Sequence, residues 1–205
     1  MLLGRLGKNG LMLRAFARGE DTSPVQPSGV ESQIRSIGNS GTAPRDIVTP
    51  EDARCMLYLL AESVGARLRE HGFQTREVSV SVRTTEMLWA SHQRVLPRST
   101  CLTGDIAEAA CSLLEERFMG LLPLRSLGIQ CGRLSPMGAP EQLDLLGEQA
   151  ARDRAWRLEL AADDLRRRFG HQIVRRGVVL TDALYARLDP KEEHTIHPVA
   201  FLKKG

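Results

Sequence analysis

Between Thr75 and Pro97 apolar and polar positions alternate: Val78, Val80 and Val82 fall on one side, and Glu77, Ser79, Ser81 and Arg83 on the other. A period of two with β-branched residues on one face predicts a strand. Thr84, Thr85 and Glu86 predict a turn and residues 87–96 a second extended run, giving a hairpin with one apolar side and one polar, basic side. The register of the second run stays open. Met87, Trp89 and Val95 compete with Leu88, Ala90 and Leu96 for the core, and a one-residue slip exchanges the faces.

Helical spacing flanks the hairpin. Thr49-Pro50-Glu51-Asp52 combines an N-cap residue, a proline at the first helical position and acids at the positive dipole end. The helix it opens carries Met56, Leu57, Leu60, Val64 and Leu68 on one stripe and stops at Gly72. Thr103-Gly104-Asp105 opens a second helix, with Ile106, Ala109, Ala110, Leu113, Leu114 and Phe118 inward. Residues 34–39 read as a short strand and 122–134 as the last one. Strand, helix, hairpin, helix, strand is an α+β, β-α-β-β-α-β unit: a four-stranded sheet with two helices on one face. The other face is left open, occupied by Arg35, Ser79, Ser81, Arg83, Arg133 and part of the second hairpin strand. That face is either simply solvated or the surface on which a ligand rests.

Outside this unit the pattern weakens. Residues 1–19 are helical in character, interrupted at Gly4, Gly7 and Gly10, with Lys8-Asn9-Gly10 opening a second helix whose apolar side is Leu11, Leu13, Phe16 and Ala17. Such a turn exposes amides that suit a phosphate, although a plain helix–helix turn accounts for the same residues. Residues 20–33, with prolines, glycines and small polar residues, read as a linker. The organised unit then spans 34–135, a loop with the isolated peptide Gln142-Leu143-Asp144-Leu145-Leu146 spans 136–147, and a charged helix plus tail spans 148–205. The thin stripe of Leu158, Ala161, Ala162 and Leu165 looks too weak for a core helix, and residues 181–205 are expected to be poorly ordered.

Composition narrows the function. The 205 residues carry a net charge of +3 and a pI of about 8.8, with arginine well ahead of lysine, which permits a phosphate-bearing partner. Cys55, Cys101, Cys111 and Cys131 lack CxxC spacing, so they read as reduced thiols of a cytoplasmic protein and not as zinc ligands. There is no GxxxxGK[ST] phosphate loop, no apolar run that would span a bilayer and no continuous apolar core of a signal peptide. Asp163-Asp164, Glu192-Glu193, His194 and His197 read as solvated charge, so neither a metal site nor a catalytic residue is assigned.

Several segments in series resemble the C-terminal part of Y-family DNA polymerases, the lesion-bypass enzymes of the DinB and UmuC type. The residues that carry the resemblance are Arg35-Ser36-Ile37-Gly38-Asn39, Thr42-Ala43-Pro44-Arg45-Asp46, Val80-Ser81-Val82-Arg83, Arg94-Val95-Leu96-Pro97 and the 124–128 run. Leu6-Gly7-Lys8-Asn9-Gly10 is similar to the end of the family's thumb, the 142–146 peptide to its sliding-clamp-binding motif, and Asp164 to Gly170 to its closing segment. The resemblance implies a little-finger domain whose open sheet face lies in the major groove of primer–template DNA, gripping phosphates without reading sequence. By position it implies DNA contacts from Lys8 and Gly10, from Arg35, Ser36, Gly38, Asn39 and Ser40, and from Arg83, His92, Arg94 and Arg133. It further implies clamp contacts from Gln142, Leu143, Asp144, Leu145 and Leu146. His92 replaces a frequent arginine and Leu146 a frequent phenylalanine, which weakens each contact. In relatives the carboxylates that hold magnesium belong to a palm preceding the thumb. No acidic pair here sits on a strand in that setting, so the chain alone is expected to need no cofactor and not to polymerise. Two other readings remain: a protein-interaction module acting through the 142–146 peptide, and an RNA-binding sheet of the RRM type. The latter needs bases stacked on exposed sheet aromatics, and Trp89, the only strand aromatic, is expected to point inward.

Overall fold

The computed structural model describes residues 2–22, 24, 34–139 and 149–188, with side chains from residue 7 onward. The chain divides into two compact units, 1–33 and 34–205. In the first, α1 (Leu2–Ala17) is broken at Gly7, whose φ of 52° and ψ of −134° lie outside helical space. The interruption predicted among the glycines therefore falls at the one that uses its freedom from a Cβ. Leu11, Met12, Leu13 and Phe16 remain about half exposed.

In the second unit, β1 (Ile37–Ile47), α2 (Pro50–Glu70), β2 (Phe73–Thr84), β3 (Trp89–Thr100), α3 (Thr103–Arg117) and β4 (Leu124–Pro136) follow the predicted order. The sheet order is β1-β4-β2-β3 with every neighbouring pair antiparallel. The side chain of Thr49 accepts a hydrogen bond from the Asp52 amide at 3.1 Å, and Gly72 leaves the helix at φ 70°. Strand β1 is longer than the 34–39 run: it begins at Ile37 and continues past Pro44. Proline is tolerated there because β1 is an edge strand and its register with β4 shifts between Thr42 and Ile47.

Val78, Val80 and Val82 are fully buried against α2 and α3, together with Ile129, Leu127 and Cys131 of β4. At roughly 1.5–3 kcal/mol gross for each large apolar side chain buried, this layer fixes which face of the sheet looks inward. Burial pushes the Cys131 thiol up to about 12 and those of Cys101 and Cys111 to about 11. All four cysteines are free.

The C-terminal region departs from its sequence reading. Helix α4 (Gln149–Phe169), α5 (Gly177–Leu180) and the turns around them form a third layer on the outer side of α2 and α3, and Val179 and Tyr185 are fully buried. Residues 181–188, which fall within the predicted tail, pack instead through the buried Tyr185. The weak apolar stripe was misleading because α4 turns its charged side inward. Glu159 accepts from the Thr103 amide and hydroxyl (3.2 and 3.0 Å), which places a carboxylate at the N-terminus of α3. Arg69 donates to Asp163 at 2.6 and 3.0 Å and to the Cys101 carbonyl at 2.7 Å, and lies 3.1 Å from Glu159. Asp163 is therefore an ion-pair partner and not solvated charge.

Glu62, 1% exposed, sits at the centre of this layer, with Arg166 at 3.0 Å and Arg176 at 3.3 Å. Neither carboxylate oxygen has an aligned hydrogen bond. Burial pushes its carboxyl above the ordinary value, outweighing the two guanidinium groups. The native state then holds this proton more tightly than the unfolded chain does. Glu62's contribution to stability is fully present below the unfolded-state carboxyl pKa and is lost as pH rises through the raised native one. Urea midpoints measured from pH 4 to 8 should fall more steeply with pH for the wild type than for Glu62→Gln, whereas parallel profiles would contradict this sign.

Candidate nucleic-acid interface

Strand register builds the open face row by row. Gly38, Gln130, Ser79 and Gln93 lie abreast across β1, β4, β2 and β3; next come Ser40, Gly128, Ser81 and Ser91; then Thr42, Ser126, Arg83 and Trp89. Since opposite residues share a face, the side opposite the valines is a lawn of hydroxyls, amides and glycines. The helices of this unit pack on the opposite side. A Cβ on Gly128 would meet Ser81 Oγ at 2.6 Å, and one on Gly38 would meet the Ile129 carbonyl at 2.9 Å. Glycine and serine thus keep the floor of the face low, which lets another backbone approach closely.

Most polar groups here are lightly tied. Gln130 Nε2 donates to Ser36 Oγ at 2.9 Å, Ser79 Oγ donates to the His92 carbonyl at 3.3 Å, and Thr42 and Ser126 exchange a hydroxyl contact at 3.3 Å. The cationic content is modest. Arg35 is exposed just before β1, and Arg83 stacks over the Trp89 ring at 5.5 Å. Arg133, at a left-handed φ of 47°, sits 3.1 Å from Glu77, which partly neutralises it.

The register settles the ambiguity in β3 for Leu96 and Ala90 on the core side, leaving Trp89 61% and Val95 45% exposed. Trp89 therefore points outward, contrary to expectation. Three residues expected to contact DNA turn their side chains to the helix side. Asn39 is 5% exposed, and its Nδ2 donates to Ser63 of α2 at 3.0 Å while its Oδ1 accepts from the Ser40 amide at 2.9 Å. His92 faces the Phe118 ring with centroids 5.4 Å apart, and Arg94 donates to Glu116 of α3 at 2.5 Å. Both follow from parity: His92 is opposite Val80 and Arg94 opposite Val78. Arg35, Ser36, Gly38, Ser40, Arg83 and Arg133 lie on or beside the open face. Lys8 and Gly10 belong to the separate N-terminal unit, and residues 142–146 lie outside the described residues. Sequence reasoning missed Ser91, Gln93, Ser126 and Gln130, which alternation would have supplied once the β3 register and the pairing of β4 were known. Among the described residues no cluster of histidine, cysteine and carboxylate side chains is placed to hold a metal, and no helix is long and apolar enough to cross a membrane.

A four-stranded antiparallel sheet backed by helices, with one bare polar face, defines an α+β module. The chain belongs to the Y-family DNA polymerases: residues 34–145 match the impB/mucB/samB family C-terminal domain. It is 38% identical over 181 residues to DNA polymerase IV of Acetivibrio thermocellus, covering 88% of this chain and 45% of that protein. To DNA polymerase IV of Moorella thermoacetica it is 36% identical over 183 residues, covering 89% and 44%. The chain thus spans a little under half the length of these curated relatives. Among solved structures it is similar to the little-finger domain of PolIV in complex with the beta-clamp processivity factor, at 20% identity and a TM-score of 0.41, covering 55% of this chain and 98% of that one. It is also similar to Dbh DNA polymerase in a post-insertion binary complex, at 15% identity and a TM-score of 0.45, covering 67% and 38%.

Proposed function

We propose that the open sheet face holds primer–template DNA for a lesion-bypass DNA polymerase of the cytoplasm, of which this chain is the C-terminal part. The observation that carries the reading is the bare face itself: backed by two helices, floored by Gly128 and Ser81, and edged by Arg35, Arg83 and Arg133. Hydroxyls and amides meet phosphate oxygens regardless of base, so the face positions a duplex without selecting a sequence. Ser36, Gly38 and Ser40 contribute along β1, and Lys8 and Gly10 of the N-terminal unit add primer phosphates. Asn39, His92 and Arg94 support the sheet from behind and are outside the proposed contact surface.

Three guanidinium groups and the Lys8 ammonium predict a moderate salt response, with log affinity falling against log salt at a slope of about −3 to −4. Fluorescence anisotropy of a labelled primer–template across a salt series measures it. A slope near zero, or affinity that depends on duplex sequence, would reject phosphate gripping.

The Gln142–Leu146 peptide is proposed to dock a sliding clamp through an apolar pocket. Gln142→Ala with Leu145→Ala should abolish clamp pull-down and leave DNA affinity unchanged. Loss of both together would point to misfolding, and loss of neither would remove the peptide from the account.

A further inference from the structure

The strongest unexplained feature of the open face is its corner at the hairpin end. A hollow of about 300 Å³ opens there, lined by Ser79, Ser81, Ser91, Gln130 and Trp89. Trp89 is the only aromatic side chain on this face among the described residues, and it is 61% exposed where an indole would ordinarily be covered. Arg83 lies over the ring at 5.5 Å, its Nε buried without a hydrogen-bond partner, and no carboxylate among the described residues pairs with it. The corner therefore offers an aromatic wall, an uncompensated cation held by that wall, and three hydroxyls with one amide on the floor.

A continuous duplex uses the hydroxyls and the guanidinium group but not the ring. In B-form DNA only base edges and phosphates face the groove, and a base edge gains little from an indole plane. An unpaired nucleotide uses all of it: the base face stacks on Trp89, the phosphate meets Arg83, and the serine hydroxyls and Gln130 amide take either donors or acceptors, so no base is preferred. We infer that the Trp89–Arg83 corner is a site for one unpaired nucleotide, such as a single-stranded template overhang or a nucleotide displaced from the stack. This inference rests on the proposal that the open face holds DNA and adds strandedness to it.

The test uses the full chain carrying Trp156→Phe, so that Trp89 is the sole indole reporter. Indole emission and the anisotropy of a labelled strand are followed with a blunt duplex, the same duplex carrying a 5′ single-stranded overhang, and the single strand alone. Expected are saturable quenching by the overhang and single-strand probes, little quenching by the blunt duplex, and a roughly tenfold weaker overhang complex in Trp89→Ala. Trp89→Phe, which keeps a ring, should recover most of that loss, and Trp89→Ala should weaken the blunt-duplex complex several-fold less than the overhang complex. Equal quenching by blunt and overhang probes, or equal weakening of both by Trp89→Ala, would overturn the inference while leaving duplex binding intact. Absence of binding to every probe would overturn both.

Discussion

Replacing Arg69 by alanine is expected to lower the melting temperature by about 10 °C and to free the C-terminal layer. The side chain of Arg69 is 2% exposed and binds Asp163, Glu159 and the Cys101 carbonyl at once. Its removal takes the guanidinium group from Asp163 and leaves Glu159 with Arg176 and Thr103 alone, and breaking one partner of a buried pair costs roughly 3–5 kcal/mol. For a unit of this size each kcal/mol shifts the midpoint by about 2–4 °C. Calorimetry gives the shift, and limited proteolysis after residue 148 reports release of α4. A variant that melts within 2 °C of the wild type would show that α4 is held by its apolar contacts alone. The sheet faces away from this layer, so DNA affinity measured below the transition should be retained.

The second large effect concerns the DNA surface. Ser40 and Ser91 are exposed, stand in the same row of the open face, and lie on its two edge strands. Ser40→Glu with Ser91→Glu places two carboxylates where the phosphate backbone is proposed to pass. Like-charge juxtaposition at an interface costs several kcal/mol, so primer–template affinity should fall about a hundredfold at low salt. Screening should narrow the gap as salt is raised. Since both side chains are solvent-facing, the melting temperature should move little. Unchanged affinity would mean that DNA, if bound, lies elsewhere.

The two variants separate what the letters of the sequence disclose from what they conceal. The alternation of Val78, Val80 and Val82 and the capping run at Thr49 expose the central strand and first helix, because local pattern and tertiary burial agree there. Strand β1 is harder to see: Gly38, Gly41 and Pro44 are poor strand formers, and β4 supplies the pairing that extends them. In β3, three consecutive apolar residues at 87–89 leave the hairpin tip, so apolar character alone could not choose the register. The choice falls to Leu96 and Ala90 against the helices, which sends Trp89 to the open face and His92 and Arg94 to the helix side. Helix α4 inverts the usual rule. Leu158 and Phe169 face solvent while Glu159 and Arg166 are buried, so a reading by hydrophobic stripe finds a charged helix but no surface on which to seat it. Only the complementary charges on α2, Glu62 and Arg69, reveal its seat, and their pairing is a tertiary fact.

Amide chemical-shift mapping of the ¹⁵N-labelled chain with a primer–template tests the main assignment most directly. The amides of residues 38–42, 79–83, 91–93 and 126–130 should shift together and saturably, while those on the outer side of α2 and in α4 stay in place. Shifts concentrated on α4 and α2, with the sheet rows unmoved, would contradict the assignment of DNA to the open face.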